Sequence, residues 1–133
     1  MKSDNKPSLD ELMERLVDKV KKEGQAYVPP AIKADSPRYL DSLYHHIKEG
    51  RSVAYSMVIN GFWLVLEEQP CHDNPQKPWT RSIDITSERR IGYKAGCFKV
   101  YSDRLKTTWL GVAENHEHLE GFNSFEELVA SLC

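Results

Sequence analysis

Two histidines spaced two residues apart, His116 and His118, lie in the acidic run Glu114-Asn115-His116-Glu117-His118, and Cys71-His72-Asp73 sits in an earlier polar stretch. Thiolate, imidazole and carboxylate together are the ligand set of a tetrahedral zinc-type ion, so the two segments would supply one if the fold brought them together. No Cys-x-x-Cys spacing supports such a site, and histidines in an acidic turn are more often solvated than ligating. The reading adopted is therefore no metal and no cofactor. Cys97 follows Gly96 between Lys94 and Lys99. Neighbouring positive charge lowers a thiol's pKa and favours the nucleophilic thiolate, but a cysteine opening a strand is more often a buried structural residue, and no catalytic residue is assigned. His45 and His46 are neighbours on a helical stretch, where successive side chains diverge by about 100°, so they do not address one ligand together.

Charge gives a stronger signal. Residues 77–106 carry eight Lys and Arg against three acids, and residues 107–133 carry five Glu and no Lys or Arg. The formal net charge of −2 over 133 residues hides that segregation. One reading has the two segments adjoining, their charges offsetting each other as surface charges usually do. The sharper one makes Arg89, Arg90, Tyr93 and Lys94 a binding loop, since arginine forks suit carboxylate or phosphate and tyrosine stacks or fills a pocket. Trp79, after Pro78 at the end of a polar stretch, reads as an exposed anchor beside it. Nucleic acid is disfavoured by a pI near 6.2; a protein with an acidic patch fits at least as well.

These residues need a scaffold. Hydrophobic residues make up 40% of the chain and charged residues 29%, the balance of a globular domain, and the length suits one domain over 1–133, with 1–7 as a flexible N-terminus. No apolar leader opens the sequence, and the most apolar stretch, 57–66, is too short to span a bilayer. Three widely spaced cysteines, Cys71, Cys97 and Cys133, are no disulfide framework; reduced thiols and a cytoplasmic location are expected. Gly-rich phosphate loops, dinucleotide fingerprints, nucleophile elbows and zincin helices are absent, which lowers the odds of the common enzyme classes without excluding dispersed catalytic residues.

Leu9, Leu12, Met13, Leu16, Val17 and Val20 form one helical stripe over 8–22, opened by the Ser8/Glu11 capping-box pattern and stopped at Gly24. Val28-Pro29-Pro30 marks an extended connector within 25–35. A second helix is expected over 37–49, with Ser36 as N-cap, Pro37 in its first turn and Gly50 closing it. The period then changes to two. Residues 53–59 and 62–67 are β-type runs on either side of Asn60-Gly61, the pair that suits a type I′ hairpin turn. Further strands are expected over 80–86, 96–102 and 107–113, and a last helix after Ser124, with Glu127 completing another capping box. Short connections make neighbouring strands antiparallel. The class is α+β: two N-terminal helices, an antiparallel meander of about five strands including the 53–67 hairpin, and one C-terminal helix, with helices gathered on one face or at the ends.

The function expected from this outline is a small non-catalytic interaction module using the basic and aromatic surface of 77–106. Its partner would be a protein with an acidic patch, and a homodimer is admitted. The alternative is a small-molecule pocket between sheet and helices lined by Tyr55, Met57, Trp63 and Val65, since both hairpin strands are apolar on both faces. Nucleic-acid binding is the third reading.

Overall fold

The structure is a computed structural model that describes residues 7–29, 38–70, 80–88, 94–101, 110–112 and 121–133. Helix α1 (Leu9–Glu23) is followed by a two-residue strand β1 (Gln25–Ala26) and helix α2 (Arg38–Lys48). Strands β2 (Val53–Ile59), β3 (Phe62–Gln69), β4 (Thr80–Ser87), β5 (Lys94–Tyr101) and β6 (Leu110–Val112) come next, and helix α3 (Phe125–Leu132) closes the order. The strands form one antiparallel sheet in sequence order, β1 to β6, with four strands of seven or eight residues flanked by short edges. The α+β class and the meander are as expected. The strand count is corrected: β1 lies inside the stretch read as a bare connector and separates the two N-terminal helices. A strand this short has no periodicity of its own and exists because Gln25 and Ala26 pair with Ser56 and Tyr55 of β2. The fourth and fifth expected strands, 96–102 and 107–113, shift to Lys94–Tyr101 and Leu110–Val112.

Local chemistry sets the ends of the elements. Ser8 Oγ accepts from the Glu11 amide at 3.2 Å, and Ser124 Oγ accepts from the Glu127 amide at 3.2 Å. Both satisfy amides that a helix N-terminus leaves without intrahelical partners. The Glu127 carboxylate reaches back to the Asn123 amide at 2.8 Å, one residue earlier than a standard capping box. At the end of α2 the Arg51 amide donates to His46 O and the Gly50 amide to Ile47 O. With Gly50 at φ 74°, this is a Schellman stop. Gly24 ends α1 differently. Its backbone is extended, and a Cβ there would sit 2.4 Å from Val20 O and 2.8 Å from Ser56 O. Space against β2, not a left-handed cap, calls for glycine at this position. The residues expected to start α2, Ser36 and Pro37, lie outside the described residues.

The pleat sorts the hairpin onto two faces. On the first face Ile59, Phe62, Leu64, Leu66, Ile83 and Ile85 join Leu12, Met13, Leu16, Val17 and Val20 of α1 and Leu128, Val129 and Leu132 of α3 in the main core. On the second face Leu43 of α2 covers Ala54 and Val65, with Tyr27, Ile47 and Trp63 partly buried around them. Helices therefore lie on both faces, contrary to the single-sided expectation, because β3 is apolar on both sides and each side needs cover. Buried charge ties α1 to the sheet. Glu68, 4% exposed, faces Lys21 Nζ at 2.9 Å and Arg81 Nε at 3.0 Å, and Arg81 Nη1 reaches Glu14 at 3.0 Å. The Glu68–Arg81 contact is an ion pair without the alignment of a linear hydrogen bond.

Candidate interaction surface

Asn60 (φ 51°) and Gly61 (φ 82°) both adopt left-handed backbone, as a type I′ turn requires, and Ile59 faces Phe62 across it. Three connections meet at this end of the sheet. The Glu88 amide donates to Gly61 O at 2.9 Å where β4 ends, and Asn60 Nδ2 donates to Ser131 O at the end of α3. Beside them Ile85 pairs with Gly96 and Thr86 with Lys94, so Ala95 is an extra residue in β5, a bulge at the start of that strand. The β4–β5 connection carrying Arg89, Arg90 and Tyr93 thus leaves and re-enters the sheet next to the hairpin turn. Those three residues lie outside the described residues; Lys94 is the first residue of β5.

From the same end a strip of large apolar residues runs along the outer part of the second face. Val58 stands opposite Trp63 in the register. Trp63 meets Tyr27 edge-on, ring centroids 5.7 Å apart at 80°, and Tyr27 is followed by Val28. Val58 is 51% exposed and Val28 69%; Trp63 and Tyr27 are half-buried. The edge beside the strip is guarded against strand addition, because β1 is only two residues long and Pro29 follows three residues on, without an amide to donate.

The four residues expected to line one pocket do not share a cavity. Tyr55 and Met57 are partly buried against the first-face core, whereas Val65 and Trp63 belong to the second-face cluster. Tyr55 and Met57 have odd numbers on β2, and across the turn Trp63 and Val65 pair with even-numbered residues, Val58 and Ser56. A two-residue turn reverses which parity faces which side, and the sheet itself separates the two pairs. Between strands and helices there is packed core. A depression of about 350 Å³ lies on α1 against Asp10, Glu11, Glu14 and Arg15.

Arg81, counted within the basic segment, turns inward to Glu68 and Glu14 and does not contribute to an outward cationic face. Its balance comes from α1 and β3, not from the acidic C-terminal segment. Among the described residues no three His, Cys, Asp or Glu side chains could hold a metal ion; Cys71, His72, His116, His118 and Trp79 lie outside those residues. Cys97 of β5 stands opposite Asp84 and Val112 in the register. His45 is exposed, while Nδ1 of His46 lies 3.0 Å from Glu67 Oε2, which also accepts from Ser52 Oγ at 2.8 Å. No helix among the described residues is long and apolar enough to cross a membrane.

No family model matches the chain, and neither does any curated protein or solved structure. Whatever function is assigned rests on the surface itself. Sequence reasoning missed Tyr27 and Val58. A signal for Val58 was present: it breaks the run of small second-face residues Ala54 and Ser56 with a large aliphatic. Tyr27 carried none, because its place follows from the β1–β2 pairing.

Proposed function

We propose that the protein is a non-catalytic interaction module that docks a protein partner at the hairpin-turn end of the sheet. The strip Val58–Trp63–Tyr27 supplies the apolar contact, and the basic connection with Arg89, Arg90 and Lys94 supplies a charged rim for an acidic patch on the partner. The observation that carries the reading is the strip: Val58, half exposed, stands opposite Trp63, and Trp63 meets Tyr27 edge-on. Large aromatics beside exposed aliphatics are the composition of interface centres, and charge belongs at the rim. The divided hairpin residues favour this reading over the pocket.

The test is affinity capture from native lysate, followed by association kinetics with the captured partner. Val58→Asp should abolish capture while the melting temperature stays within a few degrees of wild type, because the residue is exposed and its strand pairing is retained. Changing Arg89, Arg90 and Lys94 together to Ala should leave folding nearly intact, slow association and flatten its salt dependence. Wild-type binding by both variants would overturn the proposal. Capture of nucleic acid, or of a second copy of this chain, would replace the partner class.

A further inference from the structure

We infer that α2 is a lid on the second face of the sheet, which opens while the rest of the molecule stays folded, and that the Glu67 carboxylate is its latch. The two faces are covered very unequally. Helix α1 places five buried side chains in the first core. Over residues 40–48 of α2 only Leu43 is buried, with Leu40, Tyr44 and Ile47 half-buried. Helices in proteins are held mainly by the apolar face they bury, and a helix of eleven residues is marginal without it. Helix α2 is therefore anchored far more weakly than α1.

Polar contacts hold what apolar burial does not. Glu67 Oε2 accepts from Ser52 Oγ at 2.8 Å and lies 3.0 Å from His46 Nδ1. One carboxylate oxygen so binds both the last turn of α2 and the residue that leads into β2. Between these two ties the chain turns at Gly50 with φ 74°, where a Cβ would meet nothing within 4 Å. Beneath the lid lie Ala54 and Val65, 5% and 2% exposed, contiguous with Tyr27 and Trp63. Opening α2 would widen the apolar strip toward the middle of the sheet. A partner that prefers the widened surface would stabilise the open form by population shift. The lid is a property of the isolated chain, so its test stands whether or not the docking proposal does.

The test is native-state amide hydrogen exchange on the full chain in low concentrations of urea. Local opening exposes little surface and depends weakly on denaturant, whereas global unfolding depends steeply. Amides of residues 43–48 are expected to exchange with almost no urea dependence below the unfolding transition, and amides of residues 13–20 of α1 with the full slope. Glu67→Ala should speed exchange in α2 about five- to tenfold, the scale of two partly exposed hydrogen bonds, and α1 by at most the same factor, since global unfolding also breaks the latch. Val17→Ala, in the first core, should speed α1 and leave α2 unchanged. A shared urea slope for both helices would overturn the lid, and so would an α2 with no protection at all. Exchange rates in α2 that Glu67→Ala and Glu67→Gln both leave unaltered, under a weak slope, would overturn the latch. If Glu67→Ala also lowers global stability, the wild-type slopes and Glu67→Gln decide.

Discussion

At the scale of single residues, the backbone of the hairpin turn and the thiol at the C-terminus have checkable consequences. Gly61 holds φ 82° with open space where a Cβ would stand. The demand at this position is conformational, not steric crowding by neighbours. A β-branched residue at positive φ is strained, so Gly61→Val should cost more than about 1 kcal/mol. An unchanged melting temperature would contradict the turn. Cys133 is exposed as a residue, yet its Sγ donates to Leu12 O at 3.3 Å. Burial of the thiol against α1 pushes its pKa above the ordinary thiol value, while Arg15 and Lys19 pull it down by a smaller amount. With the folded pKa raised, the folded state favours the neutral thiol. This contribution to stability is complete below the unfolded thiol pKa and is lost as pH rises through the folded one. Iodoacetamide should therefore modify Cys133 more slowly near pH 8 to 9 in the folded protein than in urea, as read by peptide mass spectrometry. Equal rates would contradict the assignment.

At the scale of elements, α1 is fixed both by its apolar stripe and by the chain of charges Lys21–Glu68–Arg81–Glu14. Glu68 is nearly fully buried, so its charge is tolerated only because two cations face it. Glu68→Ala would leave Arg81 with Glu14 alone and Lys21 without this partner. The expected loss is about 3 kcal/mol, near the low end for breaking a buried pair because Arg81 keeps one carboxylate. Denaturant unfolding measures it, and a loss below about 1 kcal/mol would mean that the network is effectively solvated. Helix α3 is tied to α1 in turn: Lys19 Nζ donates to Leu132 O at 3.2 Å, placing a cation where a helix C-terminus favours one. Among the described residues α2 is held by Leu43, the half-buried Ile47 and the Glu67 latch, and that difference between elements is what makes one helix a lid and the other two part of the core.

For the whole molecule, the sheet works as a partition. One side is closed by two helices and carries most of the buried apolar surface. The other carries Leu43 of α2 over Ala54 and Val65 and leaves Val58 reaching solvent beside Trp63. In the proposed complex the basic connection supplies the rim, where charges act over distance. Association of the proposed partner should slow with added salt, and the triple Ala variant should lose most of that dependence while retaining dissociation close to wild type. Val58, the most exposed apolar side chain beside Trp63, should instead govern how long the complex lasts.

Sequence alone determined whatever depends on near neighbours. The stripe Leu12–Met13–Leu16–Val17–Val20, the Ser8 and Ser124 caps and the Asn60-Gly61 turn were legible because helical spacing, capping and positive φ are local demands, met within a few residues. So was the antiparallel meander, since short connections leave little else. Other features required the tertiary structure. β1 is a strand only through β2, and Gly24 is needed because Val20 O and Ser56 O both come close. Arg81 looks like part of a basic surface until Glu14 and Glu68, 67 and 13 positions away in the chain, are found beside it. The hairpin's two apolar faces were visible, but not what covers each. Parity across the turn sends Tyr55 and Met57 to one side and Trp63 and Val65 to the other, and how completely a helix covers either side is decided by packing between elements far apart in sequence.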